Sequence, residues 1–326
     1  MKRRDVLQVL GTCAIVFATT GAFAQESFPS KPIRIIVPWP AGGVTDIGAR
    51  IISDKLAEGL GKPVIVDNRP GANGFIGTQA AASAEPDGHT LLLATATTHA
   101  VAPALYRKLP YDPLKNFISI SQITVAPTIA VTSASSPYKT LADVVAAAKK
   151  DPKKLNYATY GAGSSSTLAA ELFMQAAGIE LTAIPYKGAT PAVTGLMGGE
   201  TDIFFDSIPS SLPHVQSGRL RALAVTSEAR VSAAPDIPTL AETYPGVVFN
   251  VWQGVQAPAG TPQAVVNRLH AELVKIMAMP DVQDRFIKLG AYPVSSRAPG
   301  DFTAHIEREQ KKVAELVKRA GIPPQD

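Results

Sequence analysis

Apolar and polar positions along this chain alternate between two periods. Ile33-Arg34-Ile35-Ile36-Val37 is a short β-rich run ending at Pro38. Ile47, Ile51, Ile52, Leu56 and Leu60 then recur at helical spacing until Gly61. Val64-Ile65-Val66 predicts the next strand, and the small residues from Gly74 to Ala84 predict a helix. Thr90 to Ala94 is a continuous apolar run, as in a strand buried on both faces. Ile118 to Thr124 and Thr128 to Thr132 predict two further strands, close together.

The middle of the chain repeats the alternation. Thr140-Leu141-Ala142-Asp143 has capping-box spacing and opens a helix to Lys150. Strands are expected at Asn156 to Tyr160, Leu181 to Tyr186, Ile203 to Phe205 and Leu220 to Thr226. Between them lie helices at Ser166 to Ala177 and Ala189 to Met197, and a turn at Ser211 to Gln216. Ala233 to Gly260 is Pro-rich and predicts a surface wrap. Three long helices close the chain: Pro262 to Met277, Val282 to Leu289 and Asp301 to Arg319. Strand–helix alternation of this kind argues an α/β fold with largely parallel sheets.

A length of 326 residues suggests two domains. With 46% hydrophobic and 18% charged residues, the chain has material for a core and is not a disordered polymer. The net charge of +4 is dispersed, and no Lys/Arg block points to nucleic acid. The basic start Met1-Lys2-Arg3-Arg4, the apolar run Val9 to Ala18 and Ala22-Phe23-Ala24 predict a secretory signal peptide, 1–24, cut after Ala24. Arg3-Arg4-Asp5-Val6-Leu7 is similar to a twin-arginine signal, so two export routes stay open. Cys13, the single cysteine, falls in that leader, so a mature chain would need no disulfide.

In open α/β sheets ligands sit beyond the carboxyl ends of strands, so the following loops carry the candidate chemistry. After the first strand comes Pro38-Trp39-Pro40-Ala41-Gly42-Gly43-Val44-Thr45-Asp46. Its glycines allow close backbone approach, and a helix opening near Thr45 or Asp46 offers free N–H groups to an anion. The alternative is a plain turn with Thr45 or Asp46 as the cap, and Trp39 in the core. Gly161-Ala162-Gly163-Ser164-Ser165-Ser166-Thr167 suits a carboxylate, or is a tight turn with a Ser cap. Thr95 to His99 supplies hydroxyls. Lys187, in Tyr186-Lys187-Gly188, either contributes charge or is simply solvated, and Asp206 either accepts from a ligand or orders its loop.

Enzyme patterns are weak. Gly161 to Ser165 does not match G-x-S-x-G. Gly71-Ala72-Asn73-Gly74-Phe75-Ile76-Gly77 has G-x-x-G-x-x-G spacing rather than the dinucleotide fingerprint. The five histidines form no close ligand pair, so neither a metal nor a cofactor is expected.

Several co-linear segments together resemble the extracytoplasmic receptors of tripartite tricarboxylate transporters, the Bug family. They are Ile36 to Gly43 with Thr45-Asp46 and Ala49-Arg50, Val66 to Gly74, Pro86 to Thr90, Pro185 to Gly188, Gly218 to Ala224 and Ala257 to Pro262. The resemblance implies a periplasmic-binding-protein type II fold. Lobe 1 would be 25–124 with 228–326 and lobe 2 125–227, with crossings near Ile123–Ala126 and Val225–Ser227. It implies a periplasmic receptor that holds a small carboxylate through backbone groups and water, and hands it to membrane transporter subunits. Two lobes with a cleft, and no long apolar surface helix to pair with, predict a monomer. Di- and tricarboxylates, amino acids and aromatic acids are the ligand classes it implies. A ligand sensor serving a signalling partner is the alternative, and a secreted enzyme the third reading. Where many members carry Phe this chain has Trp39, which bears on cavity size. The candidate ligand residues are Trp39, Ala41, Gly42, Gly43, Val44, Thr45, Asp46, Thr97, His99, Gly163, Ser164, Ser165, Ser166, Tyr186, Lys187, Gly188 and Asp206.

Overall fold

The computed structural model describes residues 28–319 and 321–324. The predicted leader, 1–24, lies outside the described residues. The first part of the chain runs β1 (Ile33–Val37), α1 (Val44–Leu60), β2 (Val64–Asn68), α2 (Phe75–Ala82), β3 (Thr90–Thr95), a π-helical turn (Thr97–Val101) and α3 (Ala102–Leu105). The middle part runs β4 (Phe117–Ser133), α4 (Leu141–Lys150), β5 (Asn156–Thr159), α5 (Ser165–Ala177), β6 (Thr182–Pro185), α6 (Ala189–Met197), β7 (Ile203–Ser207), α7 (Ile208–Gln216) and β8 (Leu220–Val225). The last part is β9 (Asn250–Pro258), α8 (Gln263–Met277), α9 (Pro280–Lys288), β10 (Tyr292–Pro293) and α10 (Pro299–Arg319).

Local rules explain many of the ends. Gly61 takes φ 71° and returns its N–H to Ala57, closing α1. Gly178 at φ 62° closes α5 in the same way. At Thr140 both capping-box bonds to Asp143 form, as the spacing predicts. Strand alternation sorts the core. On β1, Ile33, Ile35 and Val37 pack with Ile52 and Leu56 of α1, while Ile36 faces Leu92 and Phe117. On β7, Phe204 and Phe205 join different clusters on opposite faces.

The strands form one sheet in the order β2-β1-β3-β9-β4-β7-β5-β6, with β10 and β8 also on β4. Three expectations need correction. The two strands expected at Ile118–Thr124 and Thr128–Thr132 are one 17-residue strand, about 55 Å long if fully extended. Its first part pairs β9 as far as Pro127↔Asn250, and from Thr128↔Ser207 it pairs β7 and β8. Pro127 cannot donate to a ladder, and it sits where the partner changes, so the strand continues through it. The expected surface wrap, Ala233 to Gly260, holds instead a central strand at its end. β9 lies between β3 and β4, and Trp252, Gln253, Val255 and Gln256 on it are buried. Finally, the sheet is mixed. β1 pairs β2 and β3 in parallel, and β5 pairs β6 and β7 in parallel. Every pairing of β4 and β9 is antiparallel. Two parallel halves are thus joined through an antiparallel centre.

Candidate functional site

A cleft opens where the carboxyl ends of β1, β3, β5 and β7 meet. From the β1–α1 connection come Trp39, Pro40, Gly43, Val44 and Thr45. Thr95, Ala96 and Thr97 follow from β3 and its exit. The other half contributes Tyr160, Ser165, Ser166, Ala189, Phe205 and Ser207. Thr128 of β4 and Val251, Trp252 and Gln253 of β9 complete the lining. The space left between these residues is narrow, a cavity of about 50 Å³.

Four helices begin at this lining: α1 at Val44, α5 at Ser165, α6 at Ala189, and α7 one residue beyond Ser207. None of the described lining residues carries a charge. The first turn of each helix has N–H groups without intrahelical acceptors, and the helix dipole places partial positive charge there. Three buried polar atoms of the lining residues, Ser207 Oγ, Gln253 Oε1 and Trp252 Nε1, have no protein partner. The lining is therefore neutral in formal charge and rich in hydrogen-bonding capacity.

The predicted residues divide into three groups. Trp39, Gly43, Val44, Thr45, Thr97, Ser165 and Ser166 line the cleft together. Thr97 Oγ1 and Ser165 Oγ hydrogen-bond across it at 2.7 Å, and the Trp39 and Tyr160 rings meet across it at 5.9 Å. Trp39 is thus a cleft residue rather than core filler.

A second group supports the lining. The cap of α1 is Gly43, with no side-chain bond, so neither Thr45 nor Asp46 caps the helix. Asp46 instead accepts from Gly42 N–H and from Arg50 Nε, both at 2.9 Å. Burial pushes its carboxyl up, but the Arg50 guanidinium and the Gly42 N–H outweigh this and hold it below the usual range. Ala41 accepts a long 3.4 Å bond from Thr190 Oγ1. Ser164 is the α5 cap and accepts from Thr167 N–H. Gly163 packs against the Tyr106 ring rather than on the cleft. Asp206 is fully buried and accepts from Tyr160 Oη, from Ser211 Oγ at 2.6 Å and from Ser207 N–H at 2.7 Å. Burial raises its carboxyl pKa against those bonds. It orders Tyr160 and the β7 exit, the second of its two readings.

The third group lies elsewhere. His99 is fully buried between Tyr111 and Phe117, and burial lowers its pKa to about 3, so it is a neutral core residue. Tyr186 and the exposed Lys187 line an outer vestibule on the far side of Trp39 and Tyr160. Gly188 starts α6 against Pro40.

Tyr160, Ala189, Phe205 and the β9 residues were not singled out by sequence. Tyr160 precedes a glycine loop, which is a usable signal. Val251 to Gln253 gave none, because Gln253 and Gly254 interrupt the apolar run.

Two α/β halves closed over an uncharged cleft ringed by helix starts define a two-lobed solute-binding protein of the periplasmic-binding-protein type. The family model for the tripartite tricarboxylate transporter family receptor matches residues 48–322, and the chain belongs to that family. Protein BugT of Bordetella pertussis is 35% identical over 322 residues, 97% of this chain and 98% of that one. Among solved structures, Rpa4515 of R. palustris, with adipate, matches at a TM-score of 0.89 and 33% identity, over 91% of this chain and 100% of that one. MatC of Rhodopseudomonas palustris, with bound malate, matches at 0.85 and 32% identity, over 89% of this chain and 100% of that one. The resemblance to Bug receptors read from the sequence motifs is a family membership.

Proposed function

We propose that this receptor captures a small carboxylate in the periplasm and delivers it to the membrane subunits of a tripartite tricarboxylate transporter. The observation that carries this reading is the convergence of four helix starts on a cleft without a charged side chain. One anion near one helix start gains about 0.3–1 kcal/mol, and more where partly buried, so the α1, α6 and α7 starts, which carry no side-chain cap bond, suffice to hold a carboxylate without arginine. Adipate in Rpa4515 and malate in MatC make both acids the first ligands to try.

The ligand would be enclosed by movement of two lobes, 25–124 with 228–326 against 125–227, in a monomer released from its leader after Ala24. Bonds between Thr128 and Thr226 at the back of the cleft support crossings there. Thr226 N–H donates to Thr128 O at 2.9 Å, and Thr128 N–H donates to Thr226 Oγ1 at 2.8 Å.

Calorimetric titration with malate, adipate and benzoate, each beside its uncharged amide, tests the proposal. At least one acid should bind and its amide should not. Equal binding of acid and amide, or binding only of the amides, would overturn carboxylate recognition.

A further inference from the structure

The motif Arg69 to Gly74 takes no part in the inner cleft, yet among the described residues it holds a run of four successive positive φ angles. Gly71, Ala72, Asn73 and Gly74 stand in succession at φ 128°, 45°, 53° and 86°. Alanine and asparagine adopt such angles at a cost, and asparagine tolerates them best. The result is that Asn73 is presented to the opposite half of the molecule. Its Nδ2 donates to the carbonyl of Ala162 at 2.6 Å and to Tyr106 Oη at 2.8 Å. Tyr106 Oη in turn donates to the same Ala162 carbonyl at 2.7 Å. Phe75 braces the Tyr106 ring edge-on, with centroids 4.9 Å apart.

The loop that receives these bonds is shaped for them. Gly161 and Gly163 lie at φ 109° and 77° on either side of Ala162. A Cβ on Gly161 would stand 3.1 Å from Asn73 Oδ1, and one on Gly163 would stand 2.4 Å from the Tyr106 ring. Asn73 and Tyr106 belong to the half that carries β1 to β3, and Ala162 follows β5 in the other half. Asn73 and Tyr106 line the outer vestibule together with Trp39, Tyr160 and Lys187. The triangle therefore spans the two halves at the solvent side of the Trp39–Tyr160 pair.

We infer that Asn73 and Tyr106 are positioning residues for ligand retention, a latch that grips the Ala162 carbonyl and holds the lobes closed without touching ligand. The inference rests on the solute-binding reading above. Release requires both bonds to Ala162 to break, whereas entry into an open cleft does not. The latch thus acts on dissociation and on the population of the closed form.

The test uses Asn73→Gly, which keeps the backbone angle and removes the amide, Tyr106→Phe, which removes only the hydroxyl, and the double variant. Solution scattering of the unliganded proteins should show a larger radius of gyration in the double variant than in the wild type. Stopped-flow dissociation of malate or adipate should be about fivefold faster in each single variant, as for one hydrogen bond. The double variant should be about tenfold faster, less than the product because both donors share one acceptor. Association rates should not fall, and should rise only as far as the open form gains population. An unchanged scattering profile, an unchanged dissociation rate, or a loss confined to association overturns the latch. If the double variant does not fold, Tyr106→Phe alone decides by the same readings. If neither acid binds the wild type, the scattering comparison still decides the latch, and only the proposed function loses support.

Discussion

Two glycine-containing loops open helices toward the cleft, and in sequence they look alike. Trp39 to Asp46 leads from β1 into α1, and Gly161 to Thr167 leads from β5 into α5. Their caps differ. Gly43 has no side chain to offer, so the first amides of α1 carry no side-chain cap. Ser164 turns its hydroxyl onto Thr167 N–H, and Thr97 Oγ1 lies 3.4 Å from Ser165 N. The first loop therefore leaves its helix start without a side-chain partner, while the second satisfies much of its own helix start. Their glycines differ as well. Gly42 needs its freedom for the turn at φ 82°, whereas Gly43 sits at an ordinary φ of −81° and serves by leaving space. In the second loop both glycines serve contact with Asn73 and Tyr106. A helix start is an anion site only where nothing in the protein already occupies it.

The largest effect should come from filling the first loop. Gly43→Val is compatible with the backbone there, so the protein should fold, but two methyls would enter the cleft. Overpacking of this kind costs about 3 kcal/mol, or two decades in Kd, read by calorimetry with the best acid. Normal binding would remove Gly43 from the site. A subtler change converts the first loop into a copy of the second. Gly43→Ser supplies a capping hydroxyl, which should stabilise α1 by a few tenths of a kcal/mol while weakening the acid about tenfold by competing for the same amides. A rise in affinity would mean that the hydroxyl serves the ligand instead.

The reciprocal change should separate stability from binding. Ser164→Ala removes a working cap and should lower stability by about 1 kcal/mol in denaturant unfolding, with affinity changed less than in Gly43→Ser.

Asp46 offers a pH test of how the first loop is braced. Its carboxyl is held below the usual range, so the folded state binds its proton less readily than the unfolded chain. The stability it adds is fully present above the unfolded carboxylate pKa of about 3.9 and is lost as pH falls through the lower folded value. Asp46→Asn should be less stable than wild type at neutral pH, and the gap should narrow in acid. A gap independent of pH would show that the pairing with Arg50 is not its source.

The smallest effect belongs to Lys187. It is exposed and lies in the vestibule, so Lys187→Ala should weaken binding by less than about threefold. Moderate salt should likewise change affinity little, because buried dipoles are screened less than exposed charges. A dead Lys187→Ala variant together with a normal Gly43→Val variant would transfer carboxylate recognition from the backbone to a cation.

Much of this protein was legible without coordinates. The apolar periods gave most of the strands and helices, Gly61 ended the helix it was expected to end, and Thr140-Asp143 formed its box. These features depend on residues within about one helical turn of one another, where side-chain spacing and backbone angles decide. The family motifs named the receptor class because several such local patterns recur in order.

What the tertiary structure decided is always a matter of partners distant in sequence. Whether Pro127 ends a strand depends on β9 handing over to β7, and whether Val251 to Gln253 form core or wrap depends on β3 and β4 standing on either side. Asp206 reads as a possible ligand contact until Tyr160 and Ser211 are seen to occupy its oxygens. Gly163 reads as part of an anion cradle until Tyr106 is found against it. A side chain's type sets what it can bond, but burial and the neighbour that reaches it first set what it does, and those come from long-range packing.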